Sequence, residues 1–201
     1  DLFQLEARVH GANGLPGDWR RLKQHGGGML LDWGIHLLDQ IMWLVDSPLQ
    51  SVTADFSYIL GEECDDGYIT YLTFENGLRV ITEVGTSNYI KLPRWYLKGT
   101  KGTAEITDWD LSGKMVVATN ADVAAPTPIQ AGVGLTKTMA PPSEEATETL
   151  PLPQGSNLSQ SFYQNFFDVV TTGAQPIVKN EQVLKVMELI DHIFEIVESR
   201  K

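Results

Sequence analysis

Residues 26–45, GGGMLLDWGIHLLDQIMWLV, constrain this chain more than any other stretch. Leu30, Leu31, Trp33, Ile35, Leu37, Leu38, Ile41, Met42, Leu44 and Val45 leave few directions of a helix without an apolar side chain. Such a helix needs a broad surface to pack on. Ser47-Pro48 predicts its end near Asp46, because a residue before proline avoids the helical region. At about 100° per residue, Asp32, His36, Asp39 and Trp43 share one stripe within roughly 60°. A helix apolar elsewhere is expected to turn that stripe inward, where an unpaired carboxylate is costly. The polar groups must then satisfy one another or line a cavity that something polar enters.

The surface for this helix is predicted by segments rich in Val, Ile, Thr, Tyr and Phe. Residues 2–10, 50–60, 68–74, 78–86, 95–98, 104–106 and 114–118 read as strands. Glu75-Asn76-Gly77 is a hairpin turn. Gly99-Thr100-Lys101-Gly102 lacks phosphate-loop spacing and reads as another turn. Asn157 is expected to cap a helix carrying Leu158, Phe162, Phe166, Val169 and Val170 and ending at Gly173; Asn180 is expected to cap a longer amphipathic one. Residues 119–149, dominated by Ala, Thr and Pro, read as a disordered or surface segment, or a lid. The chain is thus expected to be one α+β domain over residues 1–201, an open and mostly antiparallel sheet with helices on one face.

A 201-residue chain can bury roughly 70% of its unfolded surface, enough for a real core. Its 15 Lys and Arg against 26 Asp and Glu give a net charge of −11, and no basic patch offsets it, so no nucleic-acid partner is expected. No uncharged apolar run is long enough to span a bilayer, so no membrane role is expected. No signal peptide is visible, and Cys64 alone permits no internal disulfide; both point to a reducing, cytoplasmic setting. Glu62, Glu63, Asp65 and Asp66 read as a solvated acidic turn.

Three explanations fit Asp32, His36 and Asp39. They can lock the packing of a buried helix. They can share a metal ion, although three ligands on one helix cannot surround it and no second cluster completes the site, so no metal is assigned. Or the imidazole can take a proton from a substrate hydroxyl while a carboxylate one turn away sets its tautomer. Gly26, Gly27 and Gly28 precede the helix; they can serve as a flexible turn or let a flat ligand approach the helix N-terminus. Trp19, Arg20 and His25 lead into the motif, and Arg94 and Trp95 open a strand; each can contact substrate or simply pack. His10 and His192 need no ligand, and Lys137 reaches a pocket only if its loop is a lid.

The pattern G-G-G-x-L-x-D-x-G-x-H-x-x-D-x-x-x-W-L, present at residues 26–44, resembles the substrate domain of the glucose-fructose oxidoreductase / inositol dehydrogenase / MocA family of NAD(P)-dependent oxidoreductases. Trp19-Arg20, residues 98–103 and the pattern around 164–190 are similar to that family's second domain as well. The resemblance implies that His36 is the catalytic proton acceptor, with Asp32 its partner and Asp39 a further position of the motif; Asp39, Trp19, Arg20, Arg94 and Trp95 are the candidates for contact with a sugar or polyol substrate. It also implies NAD or NADP against Gly26, Gly27 and Gly28, held mainly by a Rossmann domain whose E-K-P motif this sequence lacks. The chain, starting without Met, therefore reads as a C-terminal domain, inactive alone. The resemblance also implies homo-oligomers through the sheet, and the sheet segments show one apolar face that helices alone need not cover. A non-catalytic sugar-binding module, or less simply a metal-assisted hydrolase or isomerase, is the competing reading.

Overall fold

Strand alternation resolves into two ladders of opposite character in the computed structural model, which describes residues 1–119, 129–137, 144–153 and 162–200. Strands β1 (Leu2–His10), β2 (Leu49–Ser57), β3 (Gly67–Phe74), β4 (Arg79–Gly85), β5 (Trp95–Gly99), β6 (Gly102–Ile106) and β7 (Gly113–Ala118) share one open sheet with β10 (Thr147–Leu150). Strands β8 (Ile129–Gly132) and β9 (Leu135–Lys137) pair separately. The order in the large sheet is β10-β7-β6-β5-β1-β4-β3-β2, and every neighbouring pair is antiparallel except β1 and β4. β1 thus joins two meanders. Gly77, at φ +83°, turns the predicted β3–β4 hairpin, and Gly99 faces Gly102 across the other.

One ladder runs Val52, Leu72, Val80, Leu5, Leu97, Ala104, Met115, Leu150 across all eight strands. A one-residue slip anywhere would turn this row to the other face, so burial sets the register. The helices cover its β2–β3–β4–β1 half. α1 (Ile35–Leu44) packs on α3 (Asn180–Glu198), and α3 packs on β2. Leu37, Leu38, Ile41, Ile190 and Ile193 are at most 1% exposed there, each contributing about 1.5–3 kcal/mol. Leu97, Ala104, Met115 and Leu150, in the other half, are only half-buried.

The reverse ladder runs Thr53, Tyr71, Ile81, Glu6, Tyr96, Glu105, Lys114. Beside Glu6 on this face, Arg8 bonds both Glu6 and Glu83, the latter at 3.1 Å, and His10 Nε2 lies 3.2 Å from Glu83 Oε1. The His10 imidazole, then Arg8, hold the Glu83 carboxyl below its ordinary pKa. The centre of the helix-free face is therefore ionic. The apolar residues that the helices leave half-buried lie on the helix side, over β5–β7.

Two further expectations change. Residues 119–149 hold strands: β10 hydrogen-bonds to β7 as the sheet's edge, and β8–β9 form a hairpin, their pairing supplied by residues too polar to announce it. Residues 120–128 and 138–143, on which a lid would also depend, fall outside the described residues, as do Asn157 and its cap. Helix α2 (Phe162–Thr172) forms, but Phe162, Tyr163, Phe166, Phe167 and Val170 are each at least 60% exposed. Its anchor is Asn165, whose amide donates to Gln175 O and whose Oδ1 accepts from Ile177 N–H. Lys179 rather than Asn180 caps α3, its N–H donating to Gln182 Oε1.

Candidate functional site

The expected long helix begins as one π-helical turn, Leu30–Gly34, in which Ile35 N–H donates to Leu30 O. A π turn takes one residue more than an α turn, so Asp32 is rotated away from the line of His36 and Asp39. Gly34 permits this close packing: a Cβ there would stand 2.7 Å from the ring of Tyr68 on β3. Nothing in the 3.6-residue pattern announces the inserted residue, so the predicted stripe does not form as drawn.

The stripe also faces outward. His36 and Asp39 are exposed, Trp43 is 73% exposed, and only Asp32 is half-buried. Asp32 Oδ2 accepts from Arg20 Nε at 2.8 Å, and the same guanidinium reaches Asp18 at 2.8 Å. That bond to Asp32 raises the Arg20 pKa. Trp19 stacks on Arg20, its ring centroid 4.6 Å from Cζ. His36 instead meets Trp33 edge-on, with ring centroids 5.9 Å apart, and makes no hydrogen bond among the described residues. Asp39 lines a cleft of about 760 Å³ with Trp43, Pro48, Ile177, Val178 and Lys185. Asp32, His36 and Asp39 are thus neighbours without being a hydrogen-bonded triad.

The glycines separate by role. A Cβ on Gly27 would lie 2.5 Å from Arg20 O, and one on Gly28, at φ +107°, would lie 2.1 Å from Asp65 Oδ1. On the Cβ side, the space those two leave is filled by this chain. Gly26, with nothing within 4 Å of its would-be Cβ, alone stays open to a ligand.

The acidic turn is likewise more than a solvated one. Asp65 and Asp66 are 4% and 2% exposed. Asp65 Oδ2 accepts from Leu30 N–H at 2.8 Å, setting a carboxylate at the start of the helical segment. Burial pushes its pKa up to about 6 against the opposing pull of the N–H groups. Asp66 Oδ2 accepts from Leu60 N–H, Glu62 pairs with Arg21, and Glu63 accepts from Lys23 N–H.

Of the strand candidates, Trp95 packs against the core and pairs with Ala7, so it supports the sheet. Arg94 turns to Trp109, its Cζ 3.5 Å from the ring centroid, and Trp109 lies 5.5 Å from Trp33. Sequence reasoning missed Trp109 and counted Trp33 as core. The one available signal was an indole set between Asp108 and Asp110 in a turn. His25 is exposed, and the side chain of Lys137 lies outside the described residues. Among the described residues no group of three His, Cys, Asp or Glu could hold a metal ion, and no helix is long and apolar enough to cross a membrane.

Residues 1–105 match the model of the GFO/IDH/MocA C-terminal domain. The chain is similar over its whole length to an NAD-binding protein from Listeria innocua, at 61% identity and a TM-score of 0.94, and covers 58% of that protein. The yvaA protein of Bacillus subtilis and the YPO2259 protein of Yersinia pestis share the fold at 19% identity, with TM-scores of 0.70 and 0.71. The chain is covered completely in both and spans 57% and 56% of them. No curated protein matches the chain.

Proposed function

Because this chain belongs to the family of GFO/IDH/MocA C-terminal domains, we propose that it is the substrate-binding part of an NAD- or NADP-dependent oxidoreductase acting on a secondary alcohol of a sugar or polyol. The carrying observation is His36, an imidazole without a hydrogen-bond partner among the described residues, exposed on the first turn of α1 just after a π-helical turn and in edge-on contact with Trp33. π turns within helices frequently occur at functional sites.

The described residues build no cradle for a whole dinucleotide, since Gly27 and Gly28 are packed against Arg20 and Asp65. Only the open side of Gly26 fits the edge of such a group. The Listeria protein is described as NAD-binding and is longer than this chain. The dinucleotide is accordingly assigned to a further part of the natural protein. When bound, a nicotinamide supplies the hydride acceptor or donor.

This chain's own share is the proton. His36 accepts the hydroxyl proton at an imidazole nitrogen during oxidation and returns it during reduction. Trp33 restricts the tilt of the ring. Arg20 bonds Asp32 at 2.8 Å and fixes its carboxylate within the motif.

The test uses the natural full-length protein with NAD+ or NADP+ and a panel of sugars, inositols and sugar acids, monitored by nicotinamide reduction. His36→Ala should lose at least about 100-fold in kcat while keeping cofactor affinity. Undiminished turnover in that variant removes His36 from the proton step.

A further inference from the structure

Arg94 is a cation held in position with nothing to hold. Its backbone is clamped on both sides: its C=O accepts from Arg8 N–H at 2.7 Å and its N–H donates to Thr107 O at 3.4 Å. Its Cζ sits over the Trp109 ring, 3.5 Å from the centroid. Nε is buried with no hydrogen-bond partner, and among the described residues the guanidinium makes no hydrogen bond or ion pair. The nearby acid, Asp108, is engaged elsewhere, accepting from Trp109 N–H at 2.9 Å and facing Lys91 Nζ at 3.7 Å. Burial lowers the Arg94 pKa, with Asp108 only partly opposing it. Other cations at the site contrast with it, as Arg20 pairs with both Asp18 and Asp32.

The aromatic steps from Arg94 to Trp109, Trp33 and His36 form one continuous surface. Trp33 and Trp109 are 38% and 54% exposed, so their faces are available to a ring bearing C–H groups. A guanidinium stacked on an indole keeps its planar fork pointing edgewise, and that fork matches a carboxylate through two parallel N–H donors. We propose that the substrate of this site is a hydroxy acid of the sugar or polyol class, its carboxylate held by Arg94, its carbon skeleton on Trp109 and Trp33, and its reacting hydroxyl toward His36. This rests on the proton-transfer reading of His36 and adds the charge of the substrate. A half-buried guanidinium whose Nε has no hydrogen-bond partner also disfavours neutral analogues, because they leave it unpaired.

The experiment uses the natural full-length protein and two pairs of probes, D-glucuronate with D-glucose and D-gluconate with D-glucitol. Kinetics are measured for the wild type, Arg94→Met, Arg94→Lys and His36→Ala. Binding of each probe in the presence of NAD+ is measured in parallel by calorimetry, and circular dichroism checks folding. The wild type should bind an acid more tightly than its neutral partner. In Arg94→Met that preference should fall about 10- to 100-fold, mainly through KM or Kd. Arg94→Lys, which keeps the charge and loses the fork, should retain part of it. If Arg94→Met misfolds, Arg94→Lys alone carries the comparison. An acid preference undiminished in both variants, or no acid bound more tightly than its neutral partner, overturns the assignment. His36→Ala separates the two ideas: retained turnover with a lost acid preference in Arg94→Met refutes only the role of His36. Lost turnover with an unchanged preference refutes only that of Arg94.

Discussion

Replacing Gly28 by Ala tests whether the glycine run serves packing or ligand access. A Cβ at position 28 would meet Asp65 Oδ1 at 2.1 Å and Cγ at 3.0 Å, on a backbone at φ +107°. The backbone conformation alone costs about 1–3 kcal/mol for a residue with a side chain. The clash also drives the carboxylate from Leu30 N–H, and loss of a hydrogen bond to a charged group adds about 1.5–3 kcal/mol. Gly28→Ala should therefore destabilise by about 2.5–6 kcal/mol. Gly26→Ala, at φ +74° with no neighbour within 4 Å, should cost only about 1–2 kcal/mol. Urea unfolding followed by tryptophan fluorescence, with cofactor KM measured on the same variants, resolves the order. A Gly28→Ala protein with the wild-type midpoint and a raised cofactor KM would refute the packing argument.

Asp65 and Arg8 give predictions that depend on pH with opposite signs. The Asp65 pKa rises to about 6 from an ordinary 3.8, so the native state binds the proton more tightly and stability falls as pH rises through that window. Asp65→Asn, which keeps an oxygen for Leu30 N–H, should remove this slope and gain about 3 kcal/mol at pH 7. Parallel stability profiles for the two proteins between pH 4 and about 7 would count against it. Arg8→Met removes the cation that bridges Glu6 and Glu83, leaving Glu83 to His10 and Glu6 to Gln4 and Lys98, and should cost about 3 kcal/mol at neutral pH. The Glu83 carboxyl is held below its ordinary range, so the stability it contributes is present above that range and lost as pH falls. The deficit of Arg8→Met should accordingly narrow in acid, and a deficit constant with pH would show that packing alone was lost.

Much of the fold was legible because its signals are local. Alternation in residues 2–10 matched β1 residue for residue, and Glu75-Asn76-Gly77 turned the predicted hairpin. The pattern at 26–44 carried the family without any coordinates. The edge strand β10 was hidden because Thr147, Glu148 and Thr149 acquire strand character only by pairing with β7. The ionic row on β1 was hidden for a similar reason: Glu6 and Arg8 look like solvated alternates until β4 brings Glu83 alongside.

By itself the sequence determined which segments are strands and helices, that one apolar helix must lie on a sheet, and that the chain carries the pattern of a GFO/IDH/MocA C-terminal domain. Those follow from side-chain period, turn chemistry and residue type along the chain. The tertiary structure decided which way the motif faces and who partners whom. The π turn, made possible by Gly34 against Tyr68, rotates Asp32 toward Arg20. The close approach of residues 64–65 claims the space at Gly27 and Gly28, and the β6–β7 turn carries Trp109 to Arg94 and Trp33. These contacts join residues far apart in the chain, and their energies exist only once the sheet has brought them together.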